Sequence, residues 1–253
     1  MKRKQRTGVL CAGALWLAAV GGRAAGTETD GLVARWKADG NFLDAIGECQ
    51  AAPHGTVTFG PGMDGDAFAF DGGENGLTAP DRDAFHFTDA LTLCLWVNVQ
   101  VYPTERPALL VFRGDDRGGL DPYVLNVDTA GRANFYVTGE DNQSAGLSAP
   151  LAKGRWILLA ATYEKAAGAL RLYENGELVS ETTTTFGPLR DLDPNASPGV
   201  GIGNHPWHEG QGFNYPFHGL LDDVRLYSRA LTPAQIRALF RQATAAPSLP
   251  PRG

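Results

Sequence analysis

"ALRLYENGELVSETTTT", residues 169–185, reads as a β-hairpin, and that reading decides the fold class. Leu170 and Leu172 alternate with Arg171 and Tyr173, the period-two pattern of a strand with one buried face. Asn175-Gly176 then breaks the alternation, and this pair suits the two positive φ angles of a type I′ turn. Similar runs lie on both sides: 66–72 (DAFAFDG), 91–99 (LTLCLWVNV), 107–114 (PALLVFRG), 123–128 (YVLNVD), 132–139 (RANFYVTG), 155–164 (RWILLAATYE), 199–204 (GVGIGN) and 219–227 (GLLDDVRLY). "TAGR" (129–132) closes a second hairpin. Helix is confined to "ALTPAQIRALFRQA" (230–243), where Thr232 caps, Pro233 takes the first helical position, and Ile236, Leu239 and Phe240 form an apolar stripe. About a dozen short strands without a helical layer predict an all-β fold, a two-sheet β-sandwich with one short C-terminal helix.

The ends differ from this body. Residues 1–25 combine the basic start "MKRKQR", the apolar run "VLCAGALWLAAV" and small residues, the composition of a secretory signal peptide. The apolar run is too short for the ~20 residues of a spanning helix. Residues 28–242 form the predicted domain, and 243–253 a flexible Pro-rich tail. Without the leader's five basic residues, the 22 Lys and Arg become 17, against 28 Asp and Glu, a formal −11. So acidic a chain lacks the basic patch that nucleic acid requires and suits a glycan, an extracellular protein or a cation. Secretion, to the cell surface, periplasm or medium, would expose Cys49 and Cys94 to oxidation, making them a candidate disulfide; two separate thiols are the alternative.

Within "HGLLDDVRLYSRAL" (218–231), Leu220, Val224 and Leu226 share one parity, and Asp222 shares it too. The alternation therefore points a carboxylate into the core, where an unpaired charge costs several kcal/mol. Asp222 needs backbone N–H donors, an arginine such as Arg35 or Arg225, or a cation. Asp223, of opposite parity, is expected at the surface or on the front face.

Five segments in this order, "GLVARWKADGNFLDAIG", "GDAFAFDGGENGLTAP", "LTLCLWVNV", "GRWILLAATYEKAAGALRLYENGELV" and "FHGLLDDVRLYSRALTPAQIRALF", resemble the laminin-G-like jelly roll of the concanavalin A-like lectin/glucanase superfamily, in its bacterial secreted form, over residues 31–240. The resemblance implies a jelly roll with a concave front and a convex back sheet, and a carbohydrate- or protein-binding role. It also implies a structural calcium held by Asp39, Gly40, Asp71, Gly72, Gly73 and Asp222. Oxygen donors from carboxylates and glycine carbonyls are what calcium takes.

Two loops are candidates for ligand contact. "GNHPWHEGQGFNYPFHG" (203–219) gathers His205, Trp207, His208, Phe213 and Tyr215. Aromatic faces stack on sugar rings while imidazoles bond hydroxyls. His205, His208 and Glu209 form a less complete transition-metal set, and a small satellite core of the loop's own aromatics is the structural alternative. "RGDDRGGLD" (113–121) places Asp115 and Asp116 between two strands, as a rim contact or a solvated loop. Glycosidases of this superfamily carry Glu-x-Asp-x-x-Glu or Glu-x-Asp-x-Glu, and no glutamate here begins either pattern. The chain is therefore expected to be a non-catalytic binding module, most simply for carbohydrate. The alternatives are a protein-interaction or cell-surface structural domain and a divergent glycoside hydrolase.

Overall fold

The computed structural model describes residues 27, 29–46, 49–114, 120–192, 199–204 and 214–245. In chain order its elements are β1 (Leu32–Trp36), β2 (Ala52–His54), β3 (Thr58–Pro61), β4 (Asp66–Asp71), β5 (Gly76–Ala79), β6 (Ala90–Val99), β7 (Ala108–Arg113), β8 (Tyr123–Val127), β9 (Arg132–Thr138), β10 (Ser144–Pro150), β11 (Ile157–Glu164), β12 (Ala169–Glu174), β13 (Glu177–Thr183), β14 (Val200–Ile202), β15 (His218–Tyr227) and α1 (Pro233–Ala245). All neighbouring strands pair antiparallel. One sheet runs β13-β12-β11-β6-β15-β4-β3, with β1 also on β15; the other runs β10-β9-β8-β7-β14-β5-β2. This is the two-sheet sandwich of a jelly roll.

The alternation read from the sequence becomes layering. Leu93, Leu95 and Val97 of β6 and Leu125 and Val127 of β8 point between the sheets into one shared apolar core. The hairpin between β12 and β13 turns at Asn175 (φ 52) and Gly176 (φ 86), the left-handed pair that the type I′ turn requires. The outer face of the eight-stranded sheet is roofed by α1, whose Ile236 and Leu239 pack on Cys94, Trp96, Leu158 and Tyr173. Helix α1 reaches Ala245, three residues into the segment expected as a tail.

Two expectations are corrected. Cys49 and Cys94 are free thiols. Cys49 lies in the inter-sheet core with its Sγ 3.7 Å from the Pro80 carbonyl, whereas Cys94 points to the opposite side of β6, under α1, so each fills apolar space. The single parity assigned to residues 218–231 also fails. Register shifts between Asp222 and Arg225, and Asp223 takes a left-handed φ of 50, a β-bulge. The extra residue flips the alternation: Leu221, Val224 and Leu226 face the core, while Leu220 and Asp222 face away from it.

Candidate functional site

Asp222 is still buried, at 1% exposure, because the turn between β3 and β4 folds over it. Its Oδ2 accepts the backbone N–H groups of Met63 (2.7 Å) and Asp64 (3.2 Å). Its Oδ1 is buried without a partner. Burial, outweighing these two amides, pushes the carboxyl up to about 7, with the Asp223 and Asp39 charges adding to the rise. Gly62 makes the close approach feasible: a Cβ there would lie 2.7 Å from Asp222 Oδ2. Asp39 holds the other end of the same turn by accepting the Asp66 N–H at 3.3 Å. Asp223 is not a surface residue. Arg35 Nε donates to its Oδ1 at 2.6 Å and Arg225 Nε to its Oδ2 at 2.9 Å. Burial alone would raise its carboxyl, but Arg225 and Arg35 outweigh that and hold it below the usual range.

Of the six residues expected around calcium, Asp39, Gly40 and Asp222 therefore cluster at this corner. Asp71, Gly72 and Gly73 do not. Asp71 pairs with His218, four residues and about 13 Å along β15 from Asp222. Its Oδ1 is already taken by the Gly73 N–H (2.8 Å) and the Asn75 side-chain amide (2.6 Å), closing the turn after β4. The set of six does not fit one ion. Among the described residues, no group of three or more His, Cys, Asp or Glu side chains could hold a metal.

A cleft of about 450 Å³ opens at the end of the sandwich where β4 finishes and β15 begins, lined by Tyr102, Glu105, Arg106, Asn214, Pro216 and His218 among others. That volume is within the range of small-ligand sites. Tyr215 stands beside it. The Tyr215 N–H donates to Asn204 Oδ1 (2.9 Å), its carbonyl accepts the Leu109 N–H of β7 (2.9 Å), and the Arg106 guanidinium lies 5.6 Å from its ring centroid. Two backbone anchors thus fix Tyr215 to Asn204 and β7, with its ring beside Arg106 of the cleft. Phe217 is fully buried in the core instead. His205, Trp207, His208, Phe213, Asp115 and Asp116 lie outside the described residues.

Two further clusters were not singled out from the sequence. On the outer face of β8–β10, the Asn134 side-chain amide donates to Asn126 Oδ1 (3.2 Å), and Arg132 donates to Ser148 Oγ through Nε (3.0 Å) and through a terminal nitrogen (2.8 Å). Tyr136, on the same face, hydrogen-bonds Asp121; its hydroxyl pKa is raised, by burial first and then by the Asp121 and Tyr215 charges. The alternation in "RANFYV" carried this signal, since its non-core positions are Arg132, Asn134 and Tyr136. At another corner, buried Arg113 bridges Asp81 (3.1 Å) and Asp191 (3.3 Å), and His86 places one ring nitrogen 3.1 Å from each of these carboxylates. Asp81 and His86 are five residues apart, but Arg113 and Asp191 come from distant segments, and no local pattern announces the cluster.

A sequence model of the family described as "Concanavalin A-like lectin/glucanases superfamily" matches residues 71–237. No curated protein matches the chain. Among solved structures, domain 4 of the extracellular arabinanase AbnA from Geobacillus stearothermophilus, in complex with arabinotriose, is similar at TM-score 0.62 and 22% identity, over 82% of this chain and 97% of that one. The binding domain of Paraclostridial Mosquitocidal Protein 1 matches at TM-score 0.67 and 15% identity, over 85% and 53%. The binding domain of botulinum neurotoxin DC, in complex with SialylT, matches at 0.66 and 10%, over 86% and 52%. The chain thus spans about half the length of the two toxin domains. Among the described residues, no helix is long and apolar enough to cross a membrane.

Proposed function

Because the chain belongs to the concanavalin A-like lectin/glucanase superfamily, we propose that it is a secreted, non-catalytic module that binds carbohydrate at the rim cleft beside Tyr215. The observation that carries this reading is the mixed lining of that cleft. Tyr102 and Pro216 offer apolar surface, while Arg106, Asn214, His218 and Glu105 offer donors and an acceptor for hydroxyls. A sugar needs this combination, since one side of its ring is C–H surface and its rim is hydroxyl. The arabinanase domain, almost wholly covered by this chain and complexed with arabinotriose, supports a glycan as the ligand class. Secretion rests on the leader-like first 25 residues.

A glycan array probed with the full chain tests the proposal. Binding to at least one neutral polysaccharide is expected, reduced at least tenfold in Arg106→Ala with no change in melting temperature. No binding to any glycan would sink the reading.

A structural calcium enters this reading only at the Asp39–Asp222 corner, where the unpartnered buried Oδ1 of Asp222 supports it. Chelation is the check: a cation bound only by the folded chain raises Tm, and EDTA reverses the gain. A second reading, binding of an extracellular protein, is favoured by Leu178 and Val179, both exposed on the sheet-edge strand β13.

A further inference from the structure

We propose that the open edge of β13 docks a second copy of this chain, the two β13 strands pairing antiparallel about a two-fold axis at Thr182. This goes beyond the carbohydrate reading and does not depend on it. It also names the partner for the exposed aliphatic pair on β13.

At the ends of the two sheets stand β13 and β3, and β10 and β2. Three of these four strands carry features that keep sheet edges from pairing. β2 is three residues long with Pro53 at its centre, β3 is four residues long and ends on Pro61, and β10 ends on Pro150. β13 runs for seven residues without proline, glycine or lysine. Its last two residues and the two that follow, Thr182 to Thr185, are all β-branched and suit a strand. Leu178 and Val179 are 48% and 42% exposed at its start. Among the described residues no segment pairs with its outer side. Three guarded edges and one long open edge is the pattern of an edge that a partner covers.

The register points to the partner. Thr184 donates its N–H to the Gly168 carbonyl at 2.7 Å, so Thr182 and Ser180 also turn their backbone groups towards β12, as an antiparallel ladder alternates. Glu181 and Thr183 therefore turn their N–H and C=O groups outward. In a second β13 laid antiparallel along this edge, with Thr182 opposite its own copy, Glu181 faces Thr183 once on each side of the axis. Each facing pair exchanges two backbone hydrogen bonds. The side chains agree, because Glu181 meets a threonine hydroxyl, a donor, rather than another carboxylate. An axis at Glu181 would oppose two carboxylates. It would also carry the pairing into Val179, the extra residue of a bulge where β13 slips against Leu172 and Tyr173. With the axis at Thr182, Val179 of each copy comes to lie beside Thr185 of the other, and exposed aliphatic surface is covered.

The chain is acidic overall, but this edge is not. Glu181 is paired with Arg171 at 2.6 Å and Glu177 with Arg237 at 3.0 Å, both within one copy. Charge therefore does not hold two copies apart here, and the same balance gives a strongly charged peptide no advantage as the occupant.

Sedimentation velocity of the full chain, from low to high micromolar concentration, tests the pairing. A concentration-dependent dimer is expected. Thr183→Pro removes an outward N–H that β12 does not use, so it should weaken the dimer about tenfold, the loss of two backbone hydrogen bonds per dimer. The circular dichroism and the Tm of the dilute monomer should not change. Two further variants read the register and keep the test decisive should the proline variant fail to fold. Thr183→Glu sets a second carboxylate against Glu181 of the other copy and should also weaken the dimer about tenfold, whereas Thr183→Lys should retain it. A monomer at every concentration would overturn the proposal and leave the edge to an unlike protein. A dimer that Thr183→Pro and Thr183→Glu both leave intact would overturn it too, by placing the contact elsewhere. Neither result touches the glycan array, so the carbohydrate reading stands or falls separately.

Discussion

Asp222 shows how one side chain can be assigned to the wrong place for a sound reason. Alternation points it into the inter-sheet core, and the energetic objection to a bare charge there is valid. The structure meets that objection on the other side of the sheet, with two amides on one oxygen and none on the other. The consequence is a pH-dependent cost. A carboxyl raised to about 7 in the folded chain keeps its proton while the unfolded chain, with an ordinary carboxyl near 3.8, loses it. The folded state then binds more protons, so this group lowers stability progressively from about pH 4 to pH 7 and fully above that. Asp222→Asn retains the accepting oxygen and removes the charge. In EDTA-containing buffer, thermal melts should show the variant several degrees more stable than wild type at pH 8 and equal to it at pH 4. A variant less stable at pH 8 would mean that the ionised carboxylate has a partner.

At the scale of elements, the parts specified by local chemistry were legible and those specified by pairing were not. The hairpin of β12 and β13 follows from Asn175-Gly176, and α1 follows from Thr232 and Pro233. Thr232 Oγ1 accepts the Gln235 N–H (3.3 Å) while Gln235 Oε1 accepts the Thr232 N–H (3.0 Å), a reciprocal capping box. Thr232→Ala should therefore cost about 1 kcal/mol, measured by urea denaturation. A loss near zero would show that packing of Ile236 and Leu239 alone fixes the helix. The bulge in β15 was not legible, because it answers to three neighbours, β1, β4 and β6, that come from distant parts of the chain. Strands β2, β3 and β5 are three or four residues long, too short to show a period. The cleft was hidden for a related reason: its walls are the 101–106 loop and the start of β15, with Gly72 beside them, and only the fold brings these together. Tyr215 was singled out because aromatic density around it is a local feature, whereas the pairing of Asn134 with Ser148 exists only across strands.

For the whole molecule, the pattern of pairing argues for one cooperative unit. Strand β15, near the C-terminal end of the described chain, lies between β4 and β6 and also carries β1, which comes from its beginning. The core cluster draws side chains from both sheets, so separating the sheets exposes both inner faces at once. The outer cluster under α1 is tied to the same strands, because Cys94 and Trp96 lie between core-facing Leu93, Leu95 and Val97 on β6. Local loss of α1 would expose that cluster while leaving the inter-sheet core intact, a step that would precede global unfolding if α1 were an independent unit. Trp96 and Phe240 report on it directly, with ring centroids 5.8 Å apart across the strand–helix contact. Urea transitions followed by far-UV circular dichroism, which sees the sheets, and by tryptophan fluorescence, which includes Trp96, are expected to coincide. A fluorescence change completed at lower urea would separate α1 from the sandwich as an independent unit, and then Thr232→Ala should move only that earlier transition.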